Sequence, residues 1–134
     1  MSDLNTPDVR ALLGAPTYAV LSTINPDGSI LSNVVWIDSE DDKVTVNSAV
    51  GRKWPTNLER DPHVTVLLMS GDDPYTFVEI RGTATGQTDG ADEHIDALAK
   101  KYLGQDEYPF RQPGEERITY AITPSVVRLV KQGS

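Results

Sequence analysis

Apolar positions along the chain follow two periods. Over residues 4–14, Leu4, Val9, Leu12 and Leu13 share one side at helical spacing. Thr6 is placed to cap this helix, Pro7 suits its first turn and Gly14 ends it. From Thr17 the pattern changes to β-branched and small apolar residues. Thr17–Ile24 runs into Asn25-Pro26-Asp27-Gly28, where proline fixes φ and Gly28 accepts φ > 0, and Ile30–Asp38 returns as a second strand. Residues 17–38 therefore predict a hairpin. After the acidic turn Ser39–Asp42, Lys43–Ser48 alternates as a half-buried strand does. Gly51–Arg60 breaks the strand pattern and predicts a turn into a short helix, with Pro55 tolerated in its first turn and Asp61-Pro62 as the stop. His63–Ser70 is an apolar strand. Tyr75–Gln87 is a long one, in which Gly82 and Gly86 mark bulges or bends. Asp89–Leu103 regains helical spacing, with Ile95, Leu98, Ala99 and Tyr102 on one side and Gly104 as its end. An irregular loop over 105–116 precedes two last strands, Ile118–Thr123 and Val126–Lys131, joined at Pro124-Ser125. The order α-β-β-β-α-β-β-α-β-β predicts a mainly β fold with short helices, a small closed or partly closed barrel.

Composition narrows the function more than the fold. At 134 residues the chain predicts a single domain over its whole length. A chain this size buries one core and has little material left for a deep, fully enclosed site of its own. Its 12 Lys and Arg against 20 Asp and Glu give a formal charge of −8, which weighs against a nucleic-acid partner. It has no cysteine, so disulfides, thiol catalysis, iron–sulfur clusters and thiolate zinc sites are excluded. Residues 1–13 lack the continuous apolar stretch of a secretory leader. Apolar runs such as Val64–Met69 fall far short of the ~20 residues a membrane helix needs. The expectation is a cytoplasmic protein with no membrane partner.

Motifs are equally selective. The chain carries no phosphate-binding P-loop, no Rossmann fingerprint and no nucleophile elbow. His63 and His94 are too few for a zinc site and read as ordinary strand and surface histidines, so no metal is expected. Arg52-Lys53 is more suggestive, because it follows the strand end Asn47-Ser48 and Gly51 and opens a helix. Backbone N–H groups, the helix dipole and a bidentate guanidinium there suit a phosphate, although a basic pair also serves as a solvated face. Ser32-Asn33-Val34-Val35-Trp36 alternates polar groups with a large aromatic residue. A flat heterocycle could lie on that strand with Asn33 at its edge, or Trp36 could be core and Asn33 could pair with backbone. Glu79 and Arg81 alternate with Val78 and Ile80, as an exposed face or an interface ion pair would.

Three segments together resemble a known family. They are Ala19–Thr23 with Asp27-Gly28 and Ser32–Trp36; Ser48-x-x-Gly51-Arg52-Lys53-x-x-x-Asn57-Leu58-x-Arg60-Asp61-Pro62-x-Val64; and Val78–Ala84. This pattern resembles the pyridoxamine 5′-phosphate oxidase-like split-barrel superfamily, and within it the flavin/deazaflavin-dependent oxidoreductases of actinobacteria, the F420-dependent group. The likeness runs from about residue 8 to residue 130. It implies a six-stranded antiparallel split β-barrel, the FMN-binding split barrel, working as a homodimer with cofactor sites at the subunit interface. Carried over by position, it implies that Arg52 and Lys53 hold the cofactor phosphate. Asn33, Val34, Val35 and Trp36 would line the ring, Asn47, Ser48 and Ala49 its edge or ribityl chain, and Asn57 the phosphate turn. Tyr75 and Phe77 would close the site from the partner subunit. Trp54-Pro55 after the basic pair departs from the family pattern and could narrow the groove.

The implied cofactor is coenzyme F420, with FMN as the alternative. The F420 tail needs several cations, for which Arg60, Arg81 and Arg128 are candidates beside the basic pair. The implied activity is hydride transfer from reduced F420 to a small unsaturated acceptor. Two other readings stay open: an FMN-dependent oxidoreductase or oxidase, and a carrier that binds F420 or a flavin without turnover.

Overall fold

The computed structural model of the protein describes residues 3–131. Its elements run α1 (Pro7–Gly14), β1 (Ala19–Ile24), β2 (Ile30–Val35), β3 (Asp38–Glu40), β4 (Lys43–Ala49), α2 (Lys53–Arg60), β5 (His63–Met69), β6 (Phe77–Gln87), α3 (Ala91–Leu103) and β7 (Arg117–Val130). Among the described residues the strands form one antiparallel sheet in the order β2-β1-β5-β6-β7-β4-β3. Among these residues no ladder joins its two edges, and no helix is long and apolar enough to cross a membrane.

The sheet has seven strands, not the six that the resemblance implies. One reason is that Ile30–Asp38 is not a single strand. The backbone of Ile37 is taken by α3: its N–H donates to the Tyr102 hydroxyl at 3.0 Å and its carbonyl accepts from Lys101 Nζ at 2.6 Å. The strand therefore breaks into β2 and β3, which pair with β1 and β4 at opposite edges. Val35 and Asp38 are separated by only Trp36 and Ile37, at most ~11 Å of chain. The two edges are thus drawn toward each other, and the sheet curls toward a barrel.

The last two expected strands are one. β7 runs through Pro124-Ser125 because the ladder slips between Arg81 and Gly82, where a proline without an N–H is tolerated. Gly82 permits this: a Cβ there would lie 2.1 Å from the Thr123 carbonyl oxygen. The hairpin turn and α2 form as the sequence predicts, with Gly28 at φ +87°. Thr6 occupies the N-cap of α1, but its hydroxyl accepts from the Asp3 N–H and not from the helix.

One core fills the inside of the curl. Leu21, Val46, Val66, Ile80 and Ile122 of the strands meet Val9 and Leu13 of α1 and Trp54 and Leu58 of α2. Outside, α3 packs on β4 and β7. Val44, Thr45 and Val46 are consequently all buried, so β4 does not keep its expected half-buried alternation. The outer face of β2, β1, β5 and β6 is open, with Ile30 63%, Val34 69% and Met69 42% exposed.

Candidate functional site

A cleft of about 180 Å³ opens where the end of β2, the end of β4, the start of α2 and α3 converge under the 104–116 loop. Val34, Val35, Trp36, Asn47, Ser48 and Arg52 all line it, so residues far apart in sequence meet there. The loop adds Tyr108 and Phe110, α2 adds Trp54, and β7 adds Arg117. Trp54 turns inward, its ring 5.7 Å from Tyr120, whose hydroxyl donates to the Pro55 carbonyl at 3.1 Å. This contact seats the Trp54-Pro55 departure in the wall of the cleft.

Charge in the cleft is arranged around one carboxylate. Glu115 accepts from Arg117 Nη1 at 2.7 Å through Oε1 and faces Arg52 Nη2 at 3.3 Å through Oε2. The Glu115 and Arg117 side chains are buried, whereas Arg52 is half exposed. Arg117 also donates from Nε to Asn47 Oδ1 at 3.0 Å, and its guanidinium lies 5.0 Å from the Tyr108 ring centre. Two guanidiniums sharing one carboxylate leave a local positive excess, which suits an anion.

Beside it stands an aromatic wall. Trp36 stacks on Tyr102 at 5.3 Å and 11°, Tyr108 meets Trp36 edge-on at 6.0 Å, and Phe110 meets Tyr108 at 5.7 Å. Tyr102 anchors the wall by donating to the Thr17 carbonyl while accepting from Ile37. Burial pushes its phenol up to about 12, so it remains a donor. Lys101 donates to the Leu13 and Ile37 carbonyls, and burial pulls its ammonium below the ordinary lysine value.

The remaining expected residues lie elsewhere. Lys53 and Asn57 line a neighbouring cavity of about 520 Å³ with Asn25, Asp27 and Thr56, on the other side of the α2 N-terminus. Asn57 is buried and donates to Thr23 Oγ1 at 3.1 Å and Asn25 Oδ1 at 3.0 Å, tying α2 to the hairpin turn. Asn33 pairs with Leu21 in the β1–β2 ladder, and its Oδ1 is buried without a hydrogen-bond partner. Ala49 is buried opposite Arg117 and accepts from the Arg52 N–H at 3.2 Å. Tyr75 is 69% exposed in the β5–β6 loop, and Phe77 lies 5.4 Å beneath Arg128.

Sequence reasoning did not select Glu115, Arg117 or Tyr108 as site residues. The signal available was an arginine set directly after two glutamates at the start of a strand. The α2 N-terminus offers a second anion-binding element: Gly51 turns the chain at φ +95°, and no side chain caps the helix. A flavin-type group therefore fits the cleft: cations and helix N–H groups for a phosphate, and an aromatic wall for a ring.

The family model described as pyridoxamine 5′-phosphate oxidase matches residues 6–131. Among solved structures, an F420 reductase is 23% identical with a TM-score of 0.78, covering 89% of this chain and 94% of that one. A conserved hypothetical protein from Mycobacterium tuberculosis is 21% identical with a TM-score of 0.78, covering 98% and 85%. General Stress Protein 26 from Bacillus anthracis is 22% identical with a TM-score of 0.68, covering 92% of each chain. At these identities the likeness concerns the fold. No curated protein matches the chain. The family match spans nearly all of the sheet and every residue of the cleft, and the chain belongs to the pyridoxamine 5′-phosphate oxidase family.

Proposed function

We propose that the protein is an oxidoreductase working with a flavin-type cofactor held at this cleft, coenzyme F420 in the first place and FMN as the alternative. The observation that carries the reading is the sharing of Glu115 by Arg52 and Arg117 beside the Trp36–Tyr108–Phe110 wall. It places an excess of positive charge next to a flat apolar surface in a chain of net charge −8. When bound, the cofactor supplies hydride transfer to a small unsaturated organic acceptor.

The chain's own residues bind, orient and exclude water. Arg52, Lys53 and the uncapped N–H groups of α2 would take the phosphate, which both cations can reach from the two sides of the helix start. Val34, Val35 and Trp36 would flank the ring, with Asn47, Ser48 and Ala49 beneath its edge and Asn33 and Asn57 supporting the strand and the turn. Arg117 would add a third positive group in the wall of the cleft.

The site requires a second copy of the chain. A cleft of about 180 Å³ is smaller than the ~300 Å³ at which small-molecule sites begin, while the outer face of β2, β1, β5 and β6 is open and carries Ile30, Val34 and Met69 in solvent beside polar groups. A homodimer through that face would complete the site, with Tyr75 and Phe77 closing it from the partner subunit. The F420 reductase neighbour supports F420. One observation favours FMN: the cations that an F420 tail would need are engaged. Arg60 binds the Ile24 carbonyl and Asn57, and Arg81 and Arg128 both bind Glu79.

Titration with each cofactor, followed by the fluorescence of Trp36 and Trp54, tests the reading. Saturable quenching at micromolar concentration, and reduction of an acceptor by the protein loaded with reduced F420, are the expected results. No quenching by either cofactor overturns it. Binding without turnover across a broad acceptor panel makes the protein a carrier.

A further inference from the structure

Asn47 was expected to touch the cofactor, yet its amide is fully engaged by protein groups. Its Nδ2 donates to the Ala91 carbonyl at 2.9 Å and lies 2.9 Å from His94 Nδ1, with Thr119 Oγ1 at 3.4 Å. Its Oδ1 accepts from Arg117 Nε at 3.0 Å. The orientation of this amide is not free. A guanidinium Nε–H only donates and a carbonyl only accepts, so Oδ1 must face Arg117 and Nδ2 must face Ala91. His94 Nδ1 is therefore an acceptor, and the neutral ring carries its proton on Nε2. That Nε2 is buried with no hydrogen-bond partner, so the ring's hydrogen bonding runs through Nδ1 alone.

We propose that neutral His94 is a positioning residue for Arg117. Its Nδ1 lone pair and the Ala91 carbonyl fix the Asn47 amide, whose Oδ1 holds the guanidinium in the cleft, and protonation of His94 releases that hold. The inference rests on the reading of the cleft given above. A proton on Nδ1 would set two donors, Nδ1–H and Nδ2–H, against each other. Rotating the Asn47 amide to relieve this would turn Nδ2 toward the Arg117 Nε–H and Oδ1 toward the Ala91 carbonyl, and neither contact can form. With the ring in this orientation, protonated His94 and the Asn47–Arg117 bond exclude one another.

Charged groups around the ring come from several elements. Asp38 of β3 favours the charged ring, and Arg117 of β7 opposes it. Glu40 of β3, Lys43 of β4 and Asp89 ahead of α3 line the same cavity as His94. Burial, the largest influence, holds the imidazole below its ordinary value of 6.5, which keeps the ring neutral at neutral pH. The linked stability is full above 6.5 and is lost as pH falls through the lowered value.

Nitrogen-15 NMR of the protein without added ligand tests the coupling, using wild type, His94→Asn and His94→Leu. An asparagine at this position keeps an acceptor near the place of Nδ1 but cannot take the proton. In wild type the His94 ring should show the Nε2–H tautomer, and the Arg117 Nε–H resonance should move in the same acid step as the ring. In His94→Asn that resonance should stay flat with pH, and in His94→Leu it should already sit at its low-pH position at neutral pH. FMN affinity should fall by about tenfold more in wild type than in His94→Asn between neutral pH and about pH 5. Taking the difference between the two proteins removes the titration of the FMN phosphate. An Arg117 resonance that ignores the His94 titration overturns the proposal. If neither FMN nor coenzyme F420 binds while the two resonances still move together, the reading of the cleft falls and the coupling stands.

Discussion

The outer face of one sheet is treated in two ways. Over β4 and β7 it is covered by α3 and carries polar groups that find partners: Asn47 meets His94, Ala91 and Arg117, and the buried Arg117 meets Glu115. Over β2, β1, β5 and β6 it is open and carries Ile30, Val34 and Met69 in solvent. The covered half is finished within one chain, because its polar groups would cost too much to bury unpaired. The open half is unfinished, because its apolar groups gain nothing until a second surface arrives. The cleft lies on the seam between them, with Val34 from the open half and Arg117 from the covered one.

The largest effect should come from the open half. Val34→Lys removes a side chain worth about 1.5–3 kcal/mol when buried, and two-fold symmetry counts it twice. Sedimentation should show monomer for the variant and dimer for wild type. An unchanged dimer would move the interface away from this face. The covered half should break differently. Arg117→Met leaves Glu115 buried with only the half-exposed Arg52, at a cost of about 3–5 kcal/mol in urea unfolding. A loss below about 1 kcal/mol would mean that the Glu115–Arg117 pair behaves as a surface pair.

At the start of α2, Lys53→Ala should weaken cofactor binding by about 1–2 kcal/mol without changing unfolding, since Lys53 is exposed. Equal affinity would assign the phosphate to the Arg52 side of the helix start alone. The smallest effect belongs to Glu79 on the open face. Arg128, and then Arg81, hold its carboxyl below the ordinary glutamate value. Its contribution is present above that ordinary value and is lost as pH falls through the lowered one. Glu79→Gln should flatten the acid limb of stability by less than about 1 kcal/mol. A larger loss would show that a second copy buries this trio.

Elements whose signals are local were legible in the sequence: the Pro26–Gly28 turn, the α2 start after Gly51, and the α3 stop at Gly104. The errors arose where distant parts of the chain decide the outcome. Pro124 did not end a strand because Gly82, 42 residues earlier, lets the Thr123 carbonyl approach. Ile37 left the sheet because Tyr102 and Lys101 claim its backbone. The site divides in the same way. The Ser32–Trp36 stretch and the Arg52-Lys53 pair after Asn47-Ser48 stood out from the residues alone, the resemblance implied what Val34, Val35, Asn47 and Ser48 would touch, and these residues but for Ser32, Asn33 and Lys53 line one cleft. Arg117 and Glu115 were not legible, since no periodicity marks a buried ion pair. His94 read as a surface histidine because its partner, Asn47, is 47 residues away.

Calorimetric titration of wild type and Arg52→Ala with coenzyme F420 and with FMN tests the central claim most directly. The account predicts micromolar or tighter binding of one cofactor by wild type. It also predicts a loss of about 1–3 kcal/mol in the variant, whose folding should change by less than about 1 kcal/mol because the Arg52–Glu115 contact is half exposed. Equal affinity in both proteins, or no heat with either cofactor, would contradict it.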